Sequence, residues 1–589
     1  MAQLRIALAQ VNATVGDLDG NADLVVEWSR RAYDSGAHLV AFPEMALTGY
    51  PVEDLALRAS FVAASRDRLE SVAGRLADAG LGDLAVVVGY LDRRAEAAPR
   101  VGRPAGAPQD AVATLYGGRV ATRSAKHHLP NYGVFDEYRY FVPGDRLPVV
   151  RLHGVDVAIA VCEDLWQDGG PVSVVARAGA GLLVTVNASP YERDKDDVRL
   201  DLCARRAREA GAALAYVNLV GGQDELVFDG DSLVVGADGG LVARAPQFTE
   251  DLLVTDLELP AAATAPGPGP YDAGDGTEIT VDHVELSAAP VEPYEPQAPA
   301  VAEPLDDHAE VYAALVLGTR DYARKNGFAS VILGLSGGID SALAATVAAD
   351  AIGPDNVHVV LLPSRYSTEH SVSDADDLVK RQGLHARTIA IAGIVEAFDA
   401  DLDLGGLAAE NLQARVRAVI WMALSNEHGH LVLTAGNKSE IATGYSTLYG
   451  DSAGGFAPIK DVPKTMVWAL ARWRNARAEA QGTTPPIPEH SISKPPSAEL
   501  APGQLDTDSL PDYTVLDAVL DDYVEKDMGR AALTAAGHDP ALVDRVIALV
   551  DRAEYKRRQY PPGPKITPKN FGRDRRLPIT NRWREPRSR

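Results

Sequence analysis

Cysteine is nearly missing from this sequence, since Cys162 and Cys203 are the only two among 589 residues. Two cysteines without paired spacing exclude a disulfide framework and a cysteine-based zinc site, so any role for either thiol must be individual. Long apolar runs are also missing, because no stretch approaches the roughly 18 residues that a membrane-spanning helix needs. The first 20 residues hold one basic side chain and run directly into an apolar pattern, unlike a signal peptide. We therefore expect a soluble, cytoplasmic protein that contacts no membrane.

Basic residues are also fewer than acidic ones. The 57 Lys and Arg residues against 82 Asp and Glu residues give a net charge of -25 at pH 7, which repels nucleic-acid backbones and argues against them as partners. The C-terminal tail reverses this sign, and its basic residues are Lys556, Arg557, Arg558, Lys565, Lys569, Arg573, Arg575 and Arg576. The local reversal suits an anionic small molecule or an acidic neighbouring subunit, and a solvated tail is the alternative.

The length predicts at least two domains, because one domain usually spans about 150 residues. Strand-like apolar runs alternate with helix-like stretches over residues 4–259 and again from about residue 310, which is an α/β pattern. Nine prolines in residues 260–304 break it, and proline removes a backbone donor. We predict an α/β domain at 1–259, an extended connector at 260–304 with short strand-like pieces at 278–281 and 283–286, and a second α/β domain at 305–589.

The order of the predicted elements also indicates the kind of sheet. Strands of the first domain are predicted at residues 6–9, 39–42, 84–89, 155–161, 182–186 and 215–218, and those of the second at 331–335, 357–362 and 431–434. In the second domain a helical pattern follows each strand. This βαβ order predicts a Rossmann-like, doubly wound parallel sheet whose ligands bind beyond the carboxyl ends of the strands.

Residues 334–341 read Gly-Leu-Ser-Gly-Gly-Ile-Asp-Ser and carry the strongest functional signal in the chain. Glycines let the backbone approach an anion closely, and the helix expected next presents unpaired N–H groups to a pyrophosphate. The segment is not a Walker A loop, because no Lys precedes the final Ser. It resembles the pyrophosphate-binding loop of the ATP pyrophosphatases, which cleave ATP to AMP and pyrophosphate. The resemblance implies ATP contacts from Gly334, Leu335, Ser336, Gly337, Gly338, Ile339, Asp340 and Ser341.

Three residues with useful chemistry follow predicted strands of the first domain, namely Glu44, Lys126 and Cys162. Each residue alone is weak evidence for a catalytic site, although a strand end is a common place for a nucleophile. In this order and with their neighbours they resemble the nitrilase superfamily, in which a Glu base, a Lys and a Cys nucleophile hydrolyse carbon–nitrogen bonds. The resemblance covers residues 1–259 and implies an αββα sandwich.

The expected chemistry gives each residue one task. Glu44 would accept and return the proton of Cys162, while Lys126 would lower the pKa of the thiol and stabilise the oxyanion with a backbone N–H near Glu163. In the glutamine-using branch of the superfamily, matching positions hold the substrate. Here they are Tyr132, Ser189, Lys195, Glu163, Tyr50 and Glu137. Cys203 lies outside any such motif, and we interpret it as structural.

Segments of the second domain resemble the NAD synthetase family in its long, glutamine-using form. They are residues 410–417 (Glu-Asn-Leu-Gln-Ala-Arg-Val-Arg), 436–440, 444–451 and 494–500. The resemblance implies further ATP contacts from Ala435, Lys464 and Ser497. It implies deamido-NAD contacts from Asn411, Glu440, Tyr445, Ser446, Thr447, Leu448 and Lys556. Mg²⁺ is expected at Asp340 and Glu440, with Asp451 and Asp461 as weaker candidates.

Together the two resemblances imply a carbon–nitrogen ligase. An adenylating domain makes a carboxylate electrophilic, and an amidase domain supplies ammonia from glutamine. The expected reaction converts deamido-NAD(+) to NAD(+) through an adenylate and releases glutamate, AMP and pyrophosphate, with ATP as substrate and Mg²⁺ as cofactor. The resemblance further implies an internal ammonia tunnel and a homo-oligomer, expected to be an octamer.

Two alternatives stay open at this point. One is a different glutamine-dependent ATP pyrophosphatase that acts on another carboxylate or on an RNA base, although the net charge disfavours RNA. The other is a non-catalytic nucleotide sensor, which would have no need to keep Glu44, Lys126 and Cys162 beside an intact phosphate loop. Release of glutamate from glutamine separates a sensor from an enzyme.

Overall fold

The chain divides into two units, each with its own sheets. The computed structural model describes residues 2–94, 106–262 and 269–585. One unit comprises residues 1–223 and 228–305, and the other comprises residues 224–227 and 306–589. None of the described helices is both long and apolar enough to cross a bilayer.

Strands dominate the chain up to residue 305. They are β1 (Ala2–Gln10), β2 (Leu39–Ala41), β3 (Ala85–Arg93), β4 (Pro108–Tyr116), β5 (Arg119–Ala125), β6 (Arg146–Leu152), β7 (Val155–Val161), β8 (Leu182–Asn187), β9 (Ala213–Asn218), β10 (Val220–Gln223), β11 (Leu226–Asp229), β12 (Leu233–Val235), β13 (Leu241–Arg244), β14 (Asp251–Leu259), β15 (Gly269–Asp272) and β16 (Glu278–Glu285). The helices are α1 (Leu18–Asp34), α2 (Ala59–Asp78), α3 (Glu163–Trp166), α4 (Val175–Ala178) and α5 (Lys195–Ala210). The six runs predicted as strands lie in β1, β2, β3, β7, β8 and β9.

Two mixed sheets face each other in this unit, with strand orders β14-β1-β2-β3-β4-β5 and β13-β12-β9-β8-β7-β6-β16-β15. A shared core between them contains Ile6 and Leu8 from one sheet and Ile159 and Val184 from the other. Successive side chains of a strand point to opposite faces, so Ala7 lies in a second core with α1 and α2. Helix α5 covers the outer face of the other sheet. These four layers confirm the predicted αββα sandwich.

Two of these strands fall inside the proline-rich stretch 260–304. Strand β16 pairs in parallel with β6, which places Val281 opposite Leu147, and β15 pairs antiparallel with β16. Pro270 lies in β15, the edge strand of the sheet, where a missing N–H is tolerated. Residues 263–268 of the stretch lie outside the described residues. The stretch therefore contributes to the sheet of the first unit.

The second unit is an α/β layer structure. Its strands are β17 (Val331–Gly334), β18 (Val357–Leu361), β19 (His385–Thr388) and β20 (Leu431–Val432). Its helices are α6 (Asp307–Lys325), α7 (Ile339–Ile352), α8 (Glu369–Gln382), α9 (Ala392–Leu402), α10 (Leu407–His428), α11 (Lys438–Thr443), α12 (Lys464–Ala480), α13 (Glu489–Ser493), α14 (Tyr513–Leu520), α15 (Arg530–Ala535), α16 (Pro540–Arg552) and α17 (Glu554–Arg557).

All four strands run parallel in the order β19-β18-β17-β20. The order reverses between β17 and β20, and ligands of such sheets bind at that point, beyond the carboxyl ends of the strands. The doubly wound parallel sheet is confirmed. Strand β19 reads His-Ala-Arg-Thr, and all four of its residues are exposed, so it has no apolar pattern from which the sequence could predict it.

The basic tail is packed rather than solvated at several positions. Arg557 donates to Glu554 at 2.8 Å and to the carbonyl oxygen of Ala442 at 2.6 Å. Lys565 donates to the carbonyl oxygen of Thr567 at 2.6 Å, and its side chain is buried. At these positions the positive charges form hydrogen bonds and ion pairs inside the second unit.

Candidate active sites

The first unit brings Glu44 and Lys126 into direct contact. Glu44 follows β2 and Lys126 follows β5, and both side chains are buried. Lys126 Nζ donates to Glu44 Oε1 at 2.7 Å and to Glu137 Oε1 at 2.9 Å. The other oxygen of Glu44 accepts from the N–H of Ala188 at 2.8 Å. The Glu44 carboxylate is therefore fixed from two sides.

Cys162 occupies the turn between β7 and α3. Its φ of 40° and ψ of -97° are unusual for a residue with a side chain, and such strain often occurs where a residue has a functional task. The N–H of Cys162 donates to the carbonyl oxygen of Val186 at 2.9 Å. Val186 lies two residues before Ala188, whose N–H donates to Glu44, so nucleophile, base and ammonium form one cluster.

The electrostatics of this cluster set the net pKa of the nucleophile. Burial and the negative charge of Glu44 raise the pKa of the Cys162 thiol well above its ordinary value, and the opposing effect of Lys126 is too small. Lys126 lowers the thiol pKa as expected, but burial and the charge of Glu44 outweigh it, so the net shift is upward. Burial also acts on Glu44, but Lys126 and hydrogen bonds outweigh it and lower the pKa of that carboxyl. A neutral thiol beside an ionised carboxylate calls for general-base activation.

The glutamine-binding candidates lie around this cluster. Tyr50 donates to Glu137 Oε1 at 2.9 Å, and burial raises the pKa of Glu137 to about 7 despite Lys126. Tyr132 is 55% exposed and donates to Glu163 Oε2 at 3.0 Å. These pairs connect the buried cluster to an exposed rim.

Ser189 and Lys195 lie on the segment that follows β8. Ser189 comes directly after Ala188, which donates to Glu44, and its own N–H donates to Asn218 at 2.9 Å. Lys195 opens α5, donates to the carbonyl oxygen of Pro190 at 2.9 Å and lies 5.7 Å from the ring centre of Trp166. Lys195 is thus at the edge of the site, near α3.

Sequence reasoning missed Asp110 of β4. Its carboxyl group is buried beside Lys126, whose Nζ is 3.6 Å from Oδ2, and its backbone carbonyl accepts from the N–H of Lys126 at 2.9 Å. A polar residue within the run Pro-Gln-Asp-Ala gives no sign of this burial. The pairing of β3 with β4 places it there.

In the second unit, a cavity of about 600 Å³ opens at the sheet reversal. Every predicted ATP and deamido-NAD residue except Gly337 lines it. Those residues are Gly334, Leu335, Ser336, Gly338, Ile339, Asp340, Ser341, Ala435, Lys464, Ser497, Asn411, Glu440, Tyr445, Ser446, Thr447, Leu448 and Lys556. Lining residues that sequence reasoning did not assign include Arg415, Arg417, Lys494 and Asp506.

The glycine-rich loop joins β17 to α7. Gly337 has a φ of 77°, and a Cβ there would lie 2.1 Å from the carbonyl oxygen of Ser371, so only glycine fits. The N–H of Gly338 donates to Ser336 Oγ at 3.2 Å, and Ser341 Oγ donates to the carbonyl oxygen of Gly338 at 3.0 Å. Helix α7 has no side-chain cap, which leaves its first N–H groups available to an anion.

One lysine joins the two predicted magnesium ligands. Lys464 Nζ donates to Asp340 Oδ2 at 2.5 Å and to Glu440 Oε1 at 3.2 Å. Burial raises the pKa of Glu440 to about 8, and the charge of Asp340 adds to this effect against that of Lys464. With both carboxyl groups ionised, the pair would carry more negative charge than one ammonium neutralises, and a divalent cation suits such a site.

The remaining candidates shape the wall of this cavity or lie away from it. Thr447 Oγ1 donates to Asn411 Oδ1 at 2.9 Å, and Asp451 accepts from the N–H of Thr447 at 2.7 Å. Lys556 donates to the carbonyl oxygens of residues 444 and 446, both at 2.7 Å. Asp461 does not line the cavity and accepts instead from the N–H groups of residues 566 and 567 at 2.9 Å.

Comparison with known proteins identifies both halves. The carbon-nitrogen hydrolase family model matches residues 5–266, and the NAD synthase family model matches residues 311–560. A glutamine-dependent NAD(+) synthetase of Thermotoga maritima is 40% identical, and the match covers 100% of both chains. The corresponding protein of Xanthomonas campestris pv. campestris is 44% identical over 98% of this chain and 97% of the relative.

A solved structure agrees with these matches. The glutamine-dependent NAD+ synthetase of Acinetobacter baumannii, in complex with adenosine diphosphate, superposes with a TM-score of 0.70 at 37% identity and covers 99% of this chain and 100% of its own. Both the sequence and the fold are thus shared along nearly the whole length. The chain belongs to the family of glutamine-dependent NAD(+) synthetases.

Proposed function

We propose that the chain amidates deamido-NAD(+) to NAD(+), using ATP and nitrogen taken from glutamine. The observation that carries the proposal is the pairing of a buried Glu44, Lys126 and Cys162 cluster in one unit with a phosphate-loop cavity in the other. An amidase site releases ammonia, and an adenylating site activates a carboxylate. The two sites form one enzyme if the ammonia attacks the activated carboxylate. Family membership sets aside the alternative of a different ATP pyrophosphatase.

The first reaction is hydrolysis of the glutamine side-chain amide. Cys162 Sγ attacks the amide carbon as its proton moves to Glu44, which later gives this proton to the departing ammonia. Lys126 and a backbone N–H near Glu163 are the donors that we assign to the oxyanion. Water activated by Glu44 then cleaves the thioester and releases glutamate.

Glutamine is held by the residues at the rim. We assign its α-amino group to Glu163 and Tyr50, with Tyr132 as a further contact, and its α-carboxylate to Lys195, which opens α5 at the edge of the site. Ser189 is assigned to the site because Ala188, directly before it, contacts Glu44. Glu137 holds Lys126 in place at 2.9 Å.

The second reaction is adenylation of deamido-NAD(+). Its nicotinate carboxylate attacks the α-phosphorus of ATP and displaces pyrophosphate, which the loop at residues 334–341 receives at the N-terminus of α7. Ammonia then attacks the adenylate carbonyl carbon and displaces AMP. An adenine nucleotide at this site is supported by the complex of the Acinetobacter baumannii relative with adenosine diphosphate.

The contacts of the substrate nucleotides follow from the lining of the cavity. Ala435, Lys464 and Ser497 are assigned to ATP, and Asn411, Glu440, residues 445–448 and Lys556 to deamido-NAD(+). Asp340 and Glu440 would hold Mg²⁺, which neutralises phosphate charge when bound. Lys464 keeps both carboxylates directed to the same point, at 2.5 and 3.2 Å. Internal passage of ammonia and an octameric assembly stay predictions.

Paired assays test the proposal. Wild type and Cys162→Ala are supplied with ATP, Mg²⁺ and deamido-NAD(+), and either glutamine or ammonium, while NAD(+), AMP and glutamate are followed. The variant should lose glutamine-driven synthesis and keep ammonium-driven synthesis. Cys203→Ala is the matched control, because Cys203 is a residue of α5 whose side chain lies in the apolar core. A wild type that forms NAD(+) from neither nitrogen source contradicts the proposal.

A further inference from the structure

The first site buries more negative than positive charge. One oxygen of each of Glu44, Asp110 and Glu137 lies within 4.8 Å of the other two, and Lys126 is the ammonium among them. If all three carboxyl groups were ionised, two negative charges would stay uncompensated. Burial strongly disfavours such a state, so protons must reside in the cluster.

The hydrogen bonds indicate which carboxyl group carries one of these protons. Both oxygens of Glu44 accept, from Lys126 at 2.7 Å and from Ala188 at 2.8 Å. Neither oxygen of Asp110 has a donor among the described residues, because Lys126 Nζ is 3.6 Å away. An oxygen of Glu44 lies within 4.8 Å of an oxygen of Asp110, and two ionised carboxylates so close together in a buried site repel each other. One of the pair is protonated, and it is the one that accepts nothing.

We propose that Asp110 is a neutral carboxylic acid that donates its hydrogen bond to Glu44 and so keeps Glu44 ionised and aimed at Cys162. Asp110 is then a positioning residue that acts through the base and does not touch the substrate. The inference rests on the proposed glutamine hydrolysis. The proton of Cys162 goes to Glu44 and leaves with ammonia, while the proton of Asp110 stays on Asp110.

The surroundings of Asp110 support this assignment. Burial and the charge of Glu44 raise the pKa of Asp110 well above its ordinary value, while Lys126 opposes them and Glu137 adds to them. A hydrogen bond donated by Asp110 would in turn lower the pKa of Glu44. The backbone carbonyl of Asp110 accepts from the N–H of Lys126 at 2.9 Å. This backbone hydrogen bond fixes the position of the Asp110 carboxyl group relative to the Lys126 ammonium.

Two substitutions separate a neutral acid from an ionised one. Asp110→Asn keeps a neutral donor toward Glu44, and Asp110→Ala removes it. Glutamate release, measured as kcat/KM against pH, should stay within about threefold of wild type for the Asn variant and fall at least about tenfold for the Ala variant. The acid limb of the Ala profile should move to higher pH, because Glu44 loses a donor that favours its ionised form. Asp201→Asn, on the exposed side of α5, is the control.

A shift of the acid limb in the opposite direction overturns the proposal. If Asp110 is ionised, its removal takes a negative charge from the neighbourhood of Glu44, so the acid limb of the Ala profile moves to lower pH. Equal losses in the Asn and Ala variants also contradict a neutral donor. A wild type that releases no glutamate would refute the proposed hydrolysis instead.

A spectroscopic measurement decides the protonation state without relying on activity. The infrared difference between full-length wild type and Asp110→Asn at neutral pH should contain the carbonyl stretch of a buried carboxylic acid. The same difference for Asp201→Asn should contain a carboxylate band instead. A carboxylate band in the Asp110 difference overturns the proposal even if the Ala variant fails to fold.

Discussion

Each active site sets one lysine among carboxylates, but the two sites differ in their contact with solvent. In the first, the side chains of Lys126 and Glu44 are 1% and 0% exposed. In the second, Lys464 is 1% exposed, whereas Asp340 and Glu440 are 19% and 18% exposed. The first cluster is sealed by protein, and the second presents its carboxylates to the cavity.

This difference matches the chemistry that we propose for each site. A sealed cluster can balance its charge only with protons, which suits a reaction that moves a proton from sulfur to carboxylate and on to ammonia. A cluster that faces a cavity can be balanced by an entering cation and by substrate phosphates, which suits adenylation. Buried carboxylates therefore suit the covalent chemistry that we propose for the first site, and partly exposed carboxylates suit the electrostatic catalysis that we propose for the second.

The largest expected effect comes from removing the buried ammonium. Lys126→Met leaves Glu44 and Glu137 without their shared partner, and glutamate release should fall by at least about 1,000-fold. The loss of one member of a buried pair should also destabilise the fold by about 3–5 kcal/mol. Glutamate release and calorimetric melting measure the two effects.

Ammonium-driven NAD(+) synthesis separates the two sites in this test. It should continue in Lys126→Met at temperatures below the lowered melting point, because the cavity of the second unit is unchanged. Lys380→Met, at an exposed position of α8, should change neither activity. Full glutamate release by Lys126→Met would refute the role of the sealed cluster.

The open site should respond to metal concentration. Glu440→Gln removes one of the two predicted ligands, so the Mg²⁺ concentration for half-maximal ammonium-driven synthesis should rise at least about tenfold. In wild type this concentration should fall as the pH rises toward about 8, the raised pKa of Glu440, because the ionised carboxylate binds the cation. The pH dependence should vanish in the variant. Glu427→Gln, at an exposed position, is the control. If Glu440→Gln needs no more Mg²⁺ than this control, Glu440 is not a ligand of the metal.

The smallest effects are opposite pH dependences of stability in the two units. Burial raises the pKa of Glu137 to about 7, so its stabilising contribution is complete below its ordinary pKa of 4.5 and is lost as the pH rises through 7. Burial and neighbouring histidines lower the pKa of His358 and His430 below 6.5. Their contribution is present above 6.5 and is lost as the pH falls.

Substitutions should remove each slope separately. Glu137→Gln should flatten the fall in melting temperature between about pH 5 and 8, and His358→Asn should flatten the fall below about pH 6.5, each by a few degrees. His358 stacks on His430 with ring centres 4.1 Å apart, so its removal relieves repulsion between protonated rings. Calorimetry over this pH range measures both slopes, and slopes of equal sign would contradict the assignment.

Sequence patterns predicted the framework because burial leaves periodic traces. The apolar runs of β1, β7, β8 and β17 predicted strands, and the glycine-rich segment predicted the loop before α7. The resemblance to known families named Glu44, Lys126 and Cys162, and the structure joins Lys126 to Glu44 at 2.7 Å. These residues were found because their neighbours form motifs that can be compared.

The misses have physical causes of a different kind. Asp110 stands in no motif, and its burial depends on the pairing of β4 with distant strands. The polar strand β19 is held by backbone hydrogen bonds to β18, which leave no trace in side-chain type. The net pKa shift of Cys162 was missed because the sequence cannot show that burial and the charge of Glu44 outweigh the lowering effect of Lys126.

The raised thiol pKa has a consequence for chemical durability. Oxidants and alkylating agents react with thiolates far faster than with thiols. Burial raises the pKa of Cys162 well above its ordinary value, and it raises that of Cys203 too. With just these two cysteines in its sequence, the resting enzyme offers oxidants no ready thiolate. In the proposed mechanism, Cys162 becomes nucleophilic when Glu44 takes its proton.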